Sequence, residues 1–92
     1  MIKLTRARHL RDFVVELEFS DATMGEYDFA PLAARDAPLA IALRDEAVFK
    51  AFFLELGALC WPHGLELSAA SLHRRLEQLG GLRPHSKAVG QN

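Results

Sequence analysis

Four residues near the middle of the chain are of types that do chemistry. Cys60 and His63 stand three apart, Glu66 follows after three more, and His73 lies seven beyond that. Thiolate and imidazole suit zinc, and a carboxylate adds a third donor type. The same Cys60 and His63 would serve as nucleophile and base if their side chains met and a third group oriented the ring. Against this, a structural zinc is closed by four ligands, and one Cys with one His is half of such a site. His73 sits in a separate helical segment with Arg74 and Arg75 beside it. No glycine-rich phosphate loop, nucleophile elbow or paired metal motif occurs. The expectation is therefore no catalytic residue, no metal ligand and no cofactor, with a metal-binding or hydrolytic protein using Cys60, His63 and Glu66 as the alternative.

What must position these side chains is the stretch W-P-H-G-L-E-L, residues 61–67. Pro62 fixes φ and lacks a donor, and Gly64 accepts positive φ, so the chain reverses in a tight corner between a strand at 58–61 and a second at 65–67. Trp61, the one tryptophan, is expected to lay its ring over a sheet while its indole N–H finds a carbonyl. Trp61, Pro62, His63, Gly64 and Glu66 are thus corner residues, with an interaction surface as their other possible use.

Upstream, Phe13, Val15, Leu17 and Phe19 alternate with Val14, Glu16 and Glu18, the period of a strand with one wet face. Residues 20–23 read as a turn, and 24–29 alternate again, giving a hairpin. A strand from Ile2 to Leu10 is expected beside it, with Lys3, Arg6 and Arg8 opposing Glu16, Glu18, Glu26 or Asp28 across the sheet. General acid–base work needs a carboxyl in an apolar pocket, and alternation puts these four on the solvent face. Ala22 occupies a turn position where Gly or Asn is normal, which predicts either a turn of negative φ or about 1 kcal/mol of strain.

Pro31 and Pro38 suit the first turns of helices at about 31–35 and 38–43, and Asp45 caps a third helix running to about 51. A strand to 56 follows, although periodicity alone fits a helix equally well there. Ser68 caps a helix over 69–79 carrying Leu72, Leu76 and Leu79, stopped by Gly80-Gly81. Residues 81–92 read as a mobile tail, and His9 and His85 as solvent-exposed.

The 92 residues suffice for one domain, assigned to 1–80. So small a core favours self-association, and a homodimer is expected. A net charge of −1 supplies no field for nucleic acid. The single Cys60 excludes an internal disulfide and fits a reducing cytoplasm. The basic start is followed by an apolar run broken by Glu16 and Glu18, unlike a signal peptide, and the run 47–61 holds Lys50, Glu55 and Gly57, too interrupted to span a membrane.

Three separated motifs, FVVELEFSDATMGEYDFAPL, LRDEAVFKAF and CWPHGLELSAASLHRRL, occur in an order that resembles the bacterial domain-of-unknown-function family 2442. The resemblance covers about residues 2–79 and departs at Ala22, His63 and Glu66, where that family has Gly, Asn and Asp. It implies a small α+β domain without established catalytic activity. One structurally known relative carries the domain before a helix-turn-helix and bears a transcriptional-regulator label, and some stand-alone members are suspected of belonging to toxin–antitoxin pairs. Thirteen residues follow Leu79, too few for a helix-turn-helix, so direct nucleic-acid binding is not expected from this chain. The sequence therefore predicts an α+β fold: an N-terminal antiparallel β-meander, short helices, further strands around a Trp-Pro corner and a C-terminal helix packed on the sheet. Its work is expected to be regulatory or protein-interaction, non-enzymatic, with a protein or itself as partner and no membrane. The alternative is a component of transcriptional or toxin–antitoxin regulation.

Overall fold

A computed structural model of the chain describes residues 1–85. Its α+β architecture begins with β1 (Leu4–Arg11), β2 (Val14–Phe19) and β3 (Thr23–Asp28), an antiparallel meander. Val15, Leu17 and Phe19 are buried, as the period-two pattern requires. Short helices follow, α1 (Ala30–Ala33) and α2 (Pro38–Ile41), then a 3-10 turn and α3 (Glu46–Lys50). Both prolines lie in the first turn of their helix, and the Asp45 carboxylate accepts from the N–H of Ala47 and Val48 at 2.9 and 3.4 Å.

A second antiparallel sheet comprises β4 (Phe53–Glu55), β5 (Ala58–Cys60) and β6 (Glu66–Leu67). Residues 53–55 of the ambiguous run after 51 are thus a strand, because Leu54 pairs with Leu59 and a longer helix would leave β5 paired on the β6 side alone. Helix α4 (Ala69–Gln78) starts at Ser68, whose Oγ accepts from Ser71 N at 3.2 Å. Gly80 takes φ +70° and donates to Glu77 O, while Gly81 donates to Leu76 O, the paired bonds of a Schellman stop. One apolar cluster joins the sheets and α4 through Leu17, Phe29, Phe49, Leu59, Trp61, Leu72 and Leu76. No described helix is long and apolar enough to cross a membrane.

Several expectations need correction. Leu79, placed on the apolar face of α4, is 73% exposed: it caps the helix C-terminus, and Leu82 packs on the core instead. Arg83–Pro84 form β7 on the outer edge of β3, and His85 N donates to Ala22 O at 2.8 Å, so the start of the supposed tail belongs to the sheet. A proline is tolerated there because an edge strand does not need both of its hydrogen-bonding sides. Gly25 makes room for this return, since a Cβ there would lie 2.7 Å from Gly81 O. The remainder of the expected tail lies outside the described residues.

The charged face also differs from expectation. Arg8 meets Glu16 at 3.0 Å and Arg6 approaches Glu18 at 3.8 Å, as strand register dictates. Lys3 does not join them, because its stem lies over Gly57. Arg11 reaches Glu26 at 3.5 Å instead. Arg83 and His85 then close on Glu16 and Glu18 from the far side, at 3.9 and 2.8 Å. Glu16 and Glu18 consequently keep only 12% and 13% of their side-chain exposure. Neither remaining histidine is free in solvent: His85 is held by Glu18, and His9 donates from Nε2 to the Asp12 carbonyl at 2.8 Å with its ring edge-on to Phe49.

Candidate functional site

The Trp-Pro corner is where sequence reasoning concentrated its candidate residues. Gly64 N donates to Trp61 O at 3.0 Å and Trp61 N donates to Leu65 O at 2.9 Å, which closes the loop between β5 and β6. Gly64 has φ +110°, a conformation that a side chain would oppose. Trp61 is 2% exposed, among Phe29, Phe49 and Phe52 with ring centroids at 5.9, 6.1 and 6.3 Å. Its Nε1–H donates to Phe49 O at 2.8 Å, which ties the corner to the end of α3 and leaves the indole no polar atom to offer a ligand.

His63 is similarly engaged. Only its Nε2 contacts a partner, the carbonyl of Leu39 at 2.9 Å, and a carbonyl accepts, so that nitrogen carries the proton. The bond attaches the corner to α2. Its Nδ1 is buried and receives no donor among the described residues. Pro62 and His63 form one wall of an open apolar hollow of about 280 Å³, completed by Ala47, Val48 and Ala51.

Cys60 and Glu66 face each other across β5 and β6, and the thiol donates to Glu66 Oε2 at 3.6 Å. Burial, then the hydrogen bond to Glu66 and the charges of Glu66 and Glu55, push the Cys60 thiol pKa up. Nucleophilic and metal-binding sulfur is the thiolate, so each of these influences works against reactivity. His73 lies elsewhere, edge-on to Phe19 at 5.0 Å with Nε2 donating to Asp21 Oδ2 at 2.9 Å. The four residues that opened the sequence analysis therefore divide into a Cys60–Glu66 pair, a His63 bonded to α2 and a His73 bonded to the β2–β3 turn. Among the described residues, no three His, Cys, Asp or Glu side chains are grouped to hold a metal ion.

The structure adds residues that local motifs did not point to. Arg44 donates from Nε to Ala33 O at 2.8 Å and from Nη2 to Arg35 O at 3.3 Å, receiving the end of α1. The β4–β5 turn is Leu56-Gly57, with φ +53° and +81°, both positive as in a type I′ hairpin. Leu56 is 92% exposed. A leucine at a position that favours Asn or Gly was the available signal, and it is visible only once residues 53–60 are known to be a hairpin.

No curated protein and no solved structure matches this chain. The corner, the capped helices and the three-stranded meander all fall within residues 4–78, the span matched by the family model described as "Protein of unknown function (DUF2442)", and the chain belongs to that family.

Proposed function

We propose that the chain is a non-enzymatic, cytoplasmic regulatory or interaction module that binds another protein or a second copy of itself. The observation that carries this reading is its exposed apolar surface. Leu39 and Ile41 on α2 and Phe53 and Leu56 on the β4 hairpin remain open to solvent, while the Trp61 indole N–H and the His63 Nε2 of the corner are engaged in internal bonds. Leu39 and Ile41 share one short helix and Phe53 and Leu56 one hairpin, and α2 adjoins the apolar hollow through the His63–Leu39 bond, so these are the surfaces offered to a partner. A buried, lone thiol suits a reducing compartment, and the near-zero net charge favours a protein partner over nucleic acid.

The test is affinity capture from the cells that make the protein, comparing the wild type with Leu39→Ser/Ile41→Ser and with Phe53→Ser, each checked for folding by circular dichroism. The reading expects a stoichiometric partner, or self-association, that at least one folded surface variant loses. Stoichiometric zinc in the purified chain, or a monomer that retains nothing, would overturn it.

A further inference from the structure

The strand β7 holds to the sheet by charge and main chain, and it buries no apolar side chain. Its two residues, Arg83 and Pro84, are both exposed, while Leu82 just before them packs on the core. The strand is fastened by the pairing of Thr23 with Pro84 and of Met24 with Arg83, and by the bond from His85 N to Ala22 O at 2.8 Å. Proline offers the ladder no N–H. Arg83 Nη2 lies 3.9 Å from Glu16 Oε2, and His85 Nε2 donates to Glu18 Oε1 at 2.8 Å. The Arg83 side chain is half exposed, and a pair of that kind holds weakly. An edge element without buried apolar contacts opens well below the cost of global unfolding.

Each of the two carboxylates is divided between strands. Glu16 gives Oε1 to Arg8 at 3.0 Å and Oε2 to Arg83, and Glu18 gives Oε2 to Arg6 at 3.8 Å and Oε1 to His85. Lifting residues 83–85 therefore leaves each acid its cation from β1 and frees one oxygen. Arg83 and His85 stand two residues apart, the spacing that puts strand side chains on one face. Arg6 and Arg8 meet the same two acids from β1 at the same spacing. Met24, only 7% exposed, lies in register between Glu18 and Arg83 and supplies an apolar floor between the acids and the edge.

We infer that the outer edge of β3 is a docking site for an extended basic segment of a partner protein, with cationic side chains at alternate positions reaching Glu16 and Glu18, and that residues 83–85 occupy it in cis as an autoinhibitory contact. The segment seated there displays the chemistry that the site takes. Main-chain pairing along Thr23 and Met24 holds an added strand, and the two carboxylates select its side chains. An outside segment binds in proportion to the fraction of molecules in which residues 83–85 are lifted. This edge is distinct from the exposed apolar residues of α2 and the β4 hairpin, so its failure leaves the interaction reading to affinity capture.

The probe is a labelled peptide of residues 80–85, GGLRPH, titrated by fluorescence anisotropy into the full-length wild type and into Arg83→Glu/His85→Glu, whose own segment Glu16 and Glu18 repel. A site open in roughly 1–10% of molecules gains about 10- to 100-fold in apparent affinity when it is freed, and that is the expected difference between variant and wild type. The gain should vanish when Glu16→Gln/Glu18→Gln is added, or when the Arg and His of the peptide are replaced by Gln. Arg83→Gln/His85→Gln, which removes the fastening without repulsion, should shift affinity in the same direction. In the wild type, the His85 N–H should exchange at least about 10-fold faster than global unfolding allows, read by NMR, and this holds whether or not the charge-reversed variant folds. Equal binding by the wild type and the folded variants, binding to none of them, or binding indifferent to the peptide's charge overturns the inference. So does a His85 N–H protected to the level of global stability.

Discussion

Replacing Ala22 by Gly should make the protein more stable, although it deletes a methyl group and adds freedom to the unfolded chain. Ala22 sits at φ +67° in the β2–β3 turn. There its N–H donates to Phe19 O at 3.1 Å and its carbonyl accepts from His85 N at 2.8 Å, both backbone bonds that glycine keeps. The residue is exposed, so its methyl contributes little packing. The left-handed conformation costs a non-glycine residue about 1–2 kcal/mol. Glycine returns about 0.4–1 kcal/mol of that by enlarging the unfolded ensemble. The balance favours Ala22→Gly by about 0.5–1 kcal/mol, a rise in Tm of about 3–6 °C for a domain of this size. Differential scanning calorimetry at neutral pH measures it, with Ala22→Val as the opposite control, since a β-branched residue is worse in this region. A melting temperature that stays level or falls in Ala22→Gly would refute the argument that this turn is strained.

The acid side of the stability curve should report Asp21. Partial desolvation acts to raise its pKa, but hydrogen bonds from Thr23 and His73 and the charge of His73 outweigh it, holding the carboxyl below its usual value of 3.8. A group depressed in the folded state stabilises the fold above its unfolded pKa and loses that contribution as pH falls through the folded one. Asp21→Asn should therefore lower stability at pH 5 to 7 and flatten the loss between about pH 4 and 2, read by urea titrations across that range. Cys60 should be slow toward a thiol reagent in the native protein and fast in denaturant, because it is buried and its thiolate is disfavoured. Equal rates in the two states would show an accessible, ionised sulfur.

What was legible in the sequence was whatever a few neighbouring residues decide among themselves. The alternation of Val15, Leu17 and Phe19 placed β2, Asp45 and Ser68 placed two helix starts, and Pro62 with Gly64 placed the corner, each through a local preference that the rest of the molecule did not override. The misses depend on residues distant in the chain. Nothing in RPH announces a strand, because β7 exists only where Gly25 lets Gly81 approach β3. For the same reason the near-complete cover over Glu16 and Glu18 escaped notice, since half of it arrives with Arg83 and His85. His63 looked like a ligand, a base or a residue of the corner, and its partner is a backbone carbonyl 24 residues away that no motif encodes. Leu79 kept the helical spacing of Leu72 and Leu76 but fell at the cap, where position relative to the helix end outweighs periodicity.

The central claim is that Trp61 is a buried anchor of the corner whose indole N–H serves the fold. Hydrogen exchange of the Trp61 indole N–H, followed by NMR, addresses it directly. Bonded to Phe49 O inside the aromatic cluster, that proton should exchange only when the whole domain unfolds, so its protection should equal the global stability from urea denaturation. Exchange far faster than global unfolding permits, through local opening of residues 61–65, would contradict the claim and return the corner to the candidates for a binding site.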